Sequence, residues 1–310
     1  MDFYLGLAQV IGIHTLLGLS AWCVLQTGQV SMLQGGFFAI GAYSAGMLTT
    51  MWQWPLAAAL LFAAVLAGVV AVAVGFPALR VKGLMLVVAT MAFSEVVRLG
   101  FFNLKWQVQS PTGPIGPDGS LGFGGIRYFP GNGWTTLQVC VLIWLLVTAV
   151  MLALTWLDRS RAGIIWRAVG EDELAAQSSG INLTSAKVTA FGVGGLIAGL
   201  AGGVFAHYAT HIEHSNFNIL LATFAIAYPI IGGLGSLRGI VFAVIFVQGI
   251  LIEGLRFLGD WRSLLFGAFI LLLMLIRPQG LFSTRRKPAG SVPSTDVKGK
   301  SAPVAEVSNA

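Results

Sequence analysis

Long apolar runs broken by short polar turns set the rhythm of this chain. Such runs recur at 5–25, 31–52, 55–79, 83–103, 134–157, 187–207, 218–233, 237–254 and 261–276. A hydrocarbon core about 30 Å thick is crossed by about 20 helical residues, so the pattern predicts nine transmembrane helices. Two runs are weaker than the rest. The second is interrupted by the glycines of "QGGFFAIG", and the seventh is short and carries Pro229 ahead of Gly232 and Gly233. An extra break in the second run shifts the count to eight or ten. The first run begins near Leu5 without a basic stretch before it or a small-residue cleavage site, so it reads as a span and not as a cleavable signal. The fold class that follows is an all-α membrane protein, a polytopic bundle occupying residues 1–282.

Composition points the same way. Of the 310 residues 56% are hydrophobic and 10% charged, where a soluble domain carries about a quarter charged. The basic residues also orient the chain. With the tail at Arg285 to Lys287 placed in the cytoplasm, nine spans leave the N-terminus outside. Arg80, Lys82, Arg159, Arg161, Arg167, Lys187, Arg238 and six basic residues from Arg277 onward then lie inside, thirteen against four outside (Lys105, Arg127, Arg256 and Arg262). This is the positive-inside bias, and it accounts for the net charge of +6 without a nucleic-acid partner. Cys23 and Cys140 lie within apolar runs and lack metal-like spacing, so they read as small buried hydrophobes.

Two polar segments are long enough to matter. Residues 104–133 are rich in glycine and proline and are expected outside; residues 158–186 are expected inside. The tail, 283–310, is polar and poor in aromatics and is expected to be disordered. Its "GKS" at 299–301 is no phosphate loop, because Ser294 stands where a glycine is needed. No ATP site is therefore expected on this chain. The inner segment holds "GEDELAAQSSGIN" (170–182), whose Glu171, Asp172 and Glu173 are a quarter of all twelve acids. Ala168, Val169, Leu174 and Ala175 supply apolar points, which predicts a short helix with the acids near its start and Gly180 at its end. A solvated surface helix and a helix that docks a cytoplasmic partner both fit this pattern.

Within the spans, Gly35, Gly36, Ala39 and Ala42 recur at helical spacing. They suit close helix packing, or an interrupted helix whose freed backbone groups line a route. Gln29, Ser31 and Gln34 add polar groups to the same stretch. Glu95 and Arg98, three apart in the fourth run, can pair along one helix face, either lining a pathway or locking the bundle. His207 and His211 share a face, with Glu213 and His214 following. At the outer end of the sixth run these histidines read as solvated, and no metal site is assigned. His14 reads as a packed neutral histidine.

Several segments resemble the LivM-type permeases of branched-chain amino-acid ABC importers. These are "TGQVSMLQGGFFAIGAY" (27–43), "LRVKGLMLVVATMAFSEVVRL" (79–99), "SPTGPIGPDG" (110–119), "SRAGIIWRAVGEDELAAQSSGINLTSAKVTAFGVGGLIAGLAGG" (160–203) and "IIGGLGSLRG" (230–239). The resemblance runs in order from about residue 15 to 282. It departs at "AGIIW" (162–166), where the family is richer in phenylalanine, glycine and arginine, and at "HIEHSNF" (211–217). It implies a translocation subunit, not an enzyme, that binds no cofactor itself. A second homologous permease, two cytoplasmic ATPase subunits carrying ATP and Mg, and a periplasmic solute-binding protein would complete the system. The resemblance implies an ATPase-coupling loop at Arg161, Gly163, Arg167, Glu171, Asp172, Glu173, Ala175, Ala176 and Gly180. Pathway candidates are Gln29, Ser31, Gln34, Gly35, Gly36, Gly41, Thr90, Glu95, Arg98, Gly232, Gly233 and Gly235. Branched-chain amino acids are the expected solute; urea, short amides and aromatic acids stay open, as does a stand-alone ion-coupled transporter.

Overall fold

The computed structural model describes residues 2–81, 83–110, 113–254, 259, 261–276 and 280–281. Among these, the helices in order are α1 (Asp2–Leu25), α2 (Gln34–Thr50), α3 (Leu56–Ala78), α4 (Leu84–Asn103), a single-turn α5 (Tyr128–Gly131), α6 (Thr136–Arg159), α7 (Arg161–Glu171), α8 (Glu173–Ser178), α9 (Leu183–Ala209), α10 (Ile219–Gly232), α11 (Leu237–Val244) and α12 (Trp261–Ile276). A π-helix, Ile245–Gly254, continues α11. Side-chain caps start many of them. Thr135 and Gln138 form a reciprocal capping box on α6, while Asn182, Asn218 and Ser236 accept backbone N–H groups at the starts of α9, α10 and α11.

Each of the nine predicted runs falls on a helix, but the runs are not equivalent. Among the described residues, six helices are long and apolar enough to cross a membrane: α1, α3, α4, α6, α9 and α11 with its π-helical extension. The other three predicted spans are shorter, 17 residues in α2, 14 in α10 and 16 in α12. The break expected inside "QGGFFAIG" lies upstream of it. Residues 26–33 are non-helical, and the glycine-rich stretch itself is fully helical. Lys82, Thr112, Arg256, Arg277 and the tail 283–310 with its "GKS" lie outside the described residues, as does the side chain of Arg262.

The core is built around α9, which packs on α1, α2 and α3. Glycine makes that packing possible. A Cβ on Gly41 would run into the backbone of Gly199, and one on Gly202 into the carbonyl of Phe38. Gly195 and Gly199 likewise face Ala67, Ala71 and the Ala63 carbonyl on α3. Small residues thus let three backbones approach closely, as membrane helices require where lipid gives no hydrophobic push. Leu61, Val65 and Val69 of α3 and Leu137, Val141, Leu145 and Leu152 of α6 stay exposed, which gives the bundle lipid-facing stripes.

At one end of the bundle the 104–133 segment folds over the helices. It contains a small antiparallel hairpin, β1 (Val108–Ser110) with β2 (Gly113–Ile115). Phe123 and Ile212 exchange backbone hydrogen bonds of 2.7 and 2.9 Å, and Phe123, Ile126 and Phe129 are buried in the main core. The opposite end gathers the C-termini of α1 and α6, the N-terminus of α9, the turn after α10, and α7 with α8.

Candidate functional site

The acidic stretch forms two helices, where the sequence predicted one. Asp172 adopts extended backbone and separates them, so Glu171 closes α7 and Glu173 opens α8. The Asp172 carboxylate accepts from the amides of Leu174 (2.8 Å) and Ala175 (3.0 Å), a strong N-cap for a very short helix. Gly180, at φ +80° in the left-handed region that glycine favours, follows the end of α8, where the sequence places the end of the helix.

α7 is clamped to the bundle along one face. Trp166 and Val169 are buried, and the Trp166 indole donates to the Thr189 hydroxyl of α9 at 3.2 Å. Gly163 abuts the backbone of Leu157 and Asp158, and Arg167 forms an ion pair with Asp158 while also donating to its carbonyl at 2.9 Å. A third attachment joins two glycines. A Cβ on Gly170 would strike the Gln26 carbonyl, and one on Gly28, itself at φ +73°, would lie 3.2 Å from the Gly170 carbonyl. α7 therefore touches the chain where α1 gives way to the non-helical segment. The outer face is different. Arg161, Glu171, Asp172 and Ala175 are exposed, Ala176 is buried, and Leu174 is 77% exposed although apolar.

Glu173 faces inward as well as outward. Its carboxylate meets the Lys187 ammonium at 2.6 Å, and the Lys187 side chain is 6% exposed against 36% for Glu173. Breaking a buried pair by removing one partner costs about 3–5 kcal/mol, and the partial exposure of Glu173 brings the expected cost of Glu173→Gln to about 1–2 kcal/mol. Thermal unfolding of the purified chain should show that loss. Adding Lys187→Met should restore most of it, and an unchanged melting temperature in the single variant would rule out the pairing.

The non-helical 26–33 segment is held by α4. Met32 N–H donates to the Thr90 hydroxyl (3.1 Å) and the Ser94 hydroxyl donates to the Met32 carbonyl (2.7 Å), replacing bonds a helix would have made. Gln29, Ser31, Gln34, Thr90 and Ser94 are all buried. Gly35 packs on Ala222 and Gly36 on Ser94, so the start of α2 is wedged between α10 and α4. Gly41 belongs elsewhere, to the α2–α9 contact. Glu95 and Arg98 do pair, with both carboxylate oxygens 2.9 Å from Arg98 Nε. Their side chains are 35% and 20% exposed on a helix that is itself mostly uncovered.

The late glycine turn sits near α7. Gly232 packs on Gly239, Gly233 ends α10 at φ +91°, and the Leu234 carbonyl accepts from both Trp22 Nε1 (2.9 Å) and Gln26 Nε2 (2.8 Å). Between this turn and the ends of α1, α6 and α7 opens a cavity of about 810 Å³ bordered by Gly235, Asp158, Arg159, Arg167, Glu171 and Arg238. Of the predicted pathway residues, Gln29, Ser31, Gln34, Gly35, Gly36 and Thr90 thus gather around Met32. Gly235 borders this cavity, with Gly232 and Gly233 in the turn beside it, and Gly41 and the Glu95–Arg98 pair belong to neither group.

Contrary to the expectation from the sequence, His207 is not solvated. Among the described residues no group of three or more His, Cys, Asp or Glu side chains that could hold a metal ion comes together. His207 is buried, with Nε2 2.9 Å from the Thr49 hydroxyl and Nδ1 2.7 Å from the Gly203 carbonyl. His211 contacts Glu213 at 3.2 Å, and the Ser215 hydroxyl, followed by His211, holds the Glu213 carboxyl below its usual range. His14 contacts the Tyr228 hydroxyl at 2.8 Å, which in turn accepts from Gln248 of the π-helix at 2.8 Å. Gly28, Gly170, Ser94 and Lys187 were not singled out from the sequence. For Lys187 the only signal was a lone cation at the start of an apolar run.

An apolar helical bundle with a broken span at its centre and a polar two-helix element clamped to one end has the build of a membrane transport component. The chain matches the family model described as branched-chain amino acid transport system / permease component over residues 3–276, and it belongs to that family. It is 30% identical to the high-affinity branched-chain amino acid transport system permease protein LivM of Salmonella typhimurium, over 94% of this chain and 71% of that one. The LivM protein of Escherichia coli is also 30% identical, over 89% of this chain and 67% of that one. The fructose import permease protein FrcC of Rhizobium meliloti is 29% identical over 50% of this chain and 44% of its own. No solved structure matches the chain. It is thus a permease subunit of a transport system and not an enzyme.

Proposed function

We propose that this chain is the translocation subunit of an ATP-driven importer for branched-chain amino acids in a bacterial inner membrane. In this reading residues 1–282 form the permease domain and 283–310 a cytoplasmic tail. The α7–α8 end faces the cytoplasm, the 104–133 segment faces the periplasm, and α2, α10 and α12 cross with the six longer helices to make nine spans. A second homologous permease lies beside it, two ATPase subunits holding ATP and Mg dock below, and a periplasmic binding protein delivers the solute. The observation that carries the reading is the two-sided character of α7 and α8. Their inner face is fastened to α1, α6 and α9, and their outer face offers Leu174 and Ala175 among the acids. An exposed apolar residue ringed by charge on a short capped helix suits a partner's groove.

Expression of the whole operon with a tagged copy of this chain tests the reading. The ATPase subunits should co-purify with the wild type, and Leu174→Arg should cut their recovery about tenfold, as loss of a central apolar contact does. ATP-driven leucine uptake should fall in step. Undiminished uptake with no ATPase bound would defeat the proposal in favour of a stand-alone transporter.

A further inference from the structure

Gln29 and Gln34 are 6% and 1% exposed, and the side-chain oxygen of each has no hydrogen-bond partner. Buried acceptors are almost always bonded, so two such oxygens five residues apart call for an explanation. Their depth supplies part of it. Thr90 and Ser94, which grip Met32, stand six and ten residues past the start of the 20-residue α4. At 1.5 Å per residue the grip lies about 9–15 Å along that helix, close to its midpoint. The chain therefore descends as α1, returns as non-helical backbone, and restarts as α2 near the middle of the bundle.

A helix that starts there directs its positive end into the bundle. The first amides of α2 have no intrahelical acceptors, and Leu33 at the cap position offers no side-chain bond. The Leu33 carbonyl takes the first backbone bond, from Phe37. Gln34 is the first residue of α2, and helical side chains lean toward the N-terminus, so its amide reaches ahead of the first turn. The two residues after it are Gly35 and Gly36, which leave the amides of that turn without side chains over them. The first amides of α2, donors for an anionic group, and the Gln34 oxygen, an acceptor for a cationic one, thus lie within one turn of each other, with the Gln29 oxygen on the segment five residues upstream. In this structure Ala222 and Ser94 close over the two glycines, so the place opens only when α10 or α4 moves away.

We propose that the buried N-terminus of α2, with Gln29 and Gln34, is a station in the membrane that holds the two charged ends of a zwitterionic solute during passage. The carboxylate sits on the α2 amides and the ammonium on the glutamine oxygens. Side-chain chemistry of the solute does not enter, which separates this place from whatever selects among amino acids. The inference rests on the permease reading and adds to it the residues that hold the solute.

The test uses the complete transporter in proteoliposomes, with receptor protein and ATP, and radiolabelled leucine as probe. Gln34→Leu should lower maximal uptake about tenfold, because charge-assisted bonds to the ammonium are lost. Gln34→Asn should recover part of that loss, which a purely structural role would not predict. Co-purification of all subunits and gel filtration report whether each variant assembles. Gln29→Leu serves if Gln34→Leu does not, and is expected to act in the same direction. In the wild type without receptor, leucine should bind about tenfold more tightly than 3-methylbutylamine, which lacks the carboxylate, or 4-methylpentanoate, which lacks the ammonium. Either analogue binding as well as leucine would overturn the station, as would glutamine variants that transport normally beside a transporting wild type. A wild type that takes up no leucine would instead defeat the branched-chain amino-acid reading, and the station with it.

Discussion

Gly202→Val should strip this chain of a large share of its stability. The Cβ of any larger residue would overlap the Phe38 carbonyl oxygen, and would also lie 2.8 Å from the Phe38 carbonyl carbon and 3.0 Å from the Ala42 nitrogen. All three are backbone atoms of α2, so no rotamer change relieves the overlap and α2 must move off α9. Nearby, Gly41 and Gly199 need the same close approach, and the shift would open both contacts. Overpacking a core costs about 1–3 kcal/mol where side chains can yield, and the upper end or more is expected where only backbone can. A natural domain has about 5–15 kcal/mol in total, so a large share of the margin goes. The readout is the monodisperse fraction on gel filtration after detergent extraction, with protease resistance in membranes alongside it. Gly100→Val is the control. Gly100 lies in α4 with no neighbour within 4 Å of its Cβ position, and valine should be harmless or slightly favourable in a helix there. Equal behaviour of the two variants would contradict the packing.

What the sequence revealed of this fold follows from which signals are local. The positions of apolar runs depend on the chain alone, and each run is a helix. Whether a run is a full-length span depends on what precedes it. The stretch before Gln34 is polar and glycine-containing, yet nothing local says that Thr90 and Ser94, about 60 residues later, will take over its backbone bonds. The break was therefore expected a few residues too late, inside "QGGFFAIG". The acidic loop shows the same limit. Its helical character and its end at Gly180 were legible, but the kink at Asp172 depends on a cap as strong as the continuing helix. Glu173 reads as a surface acid until Lys187 is found beneath it. Glycine carries the least local information. Gly170 and Gly28 are ordinary loop residues in the sequence, and only the fold shows that each occupies space the other leaves.

That pair gives the second large effect: in the ATP-driven importer proposed above, Gly170→Val should uncouple ATP hydrolysis from transport. A side chain there meets the Gln26 carbonyl oxygen at once, with Gly28 N at 3.1 Å and the Gln26 carbonyl carbon at 3.2 Å. Relief requires α7 to swing away from the end of α1. Trp166 and Val169 would still hold α7 to the bundle, so the protein should remain folded and keep its outer face for the proposed ATPase contact. What it loses is the direct contact between α7 and the segment carrying Gln29 and Met32. A conformational change imposed on α7 then reaches α4 and α2 only through softer routes, and a rigid two-state element becomes a compliant one. Leucine uptake per ATP hydrolysed, measured in proteoliposomes, is expected to fall about tenfold, equivalent to roughly 1.4 kcal/mol of lost coupling. Gly170→Ala should show a smaller drop in the same direction, since its single methyl meets the same carbonyl. If both variants transport with the wild-type ratio, the two-glycine contact is only packing and does not carry the coupling.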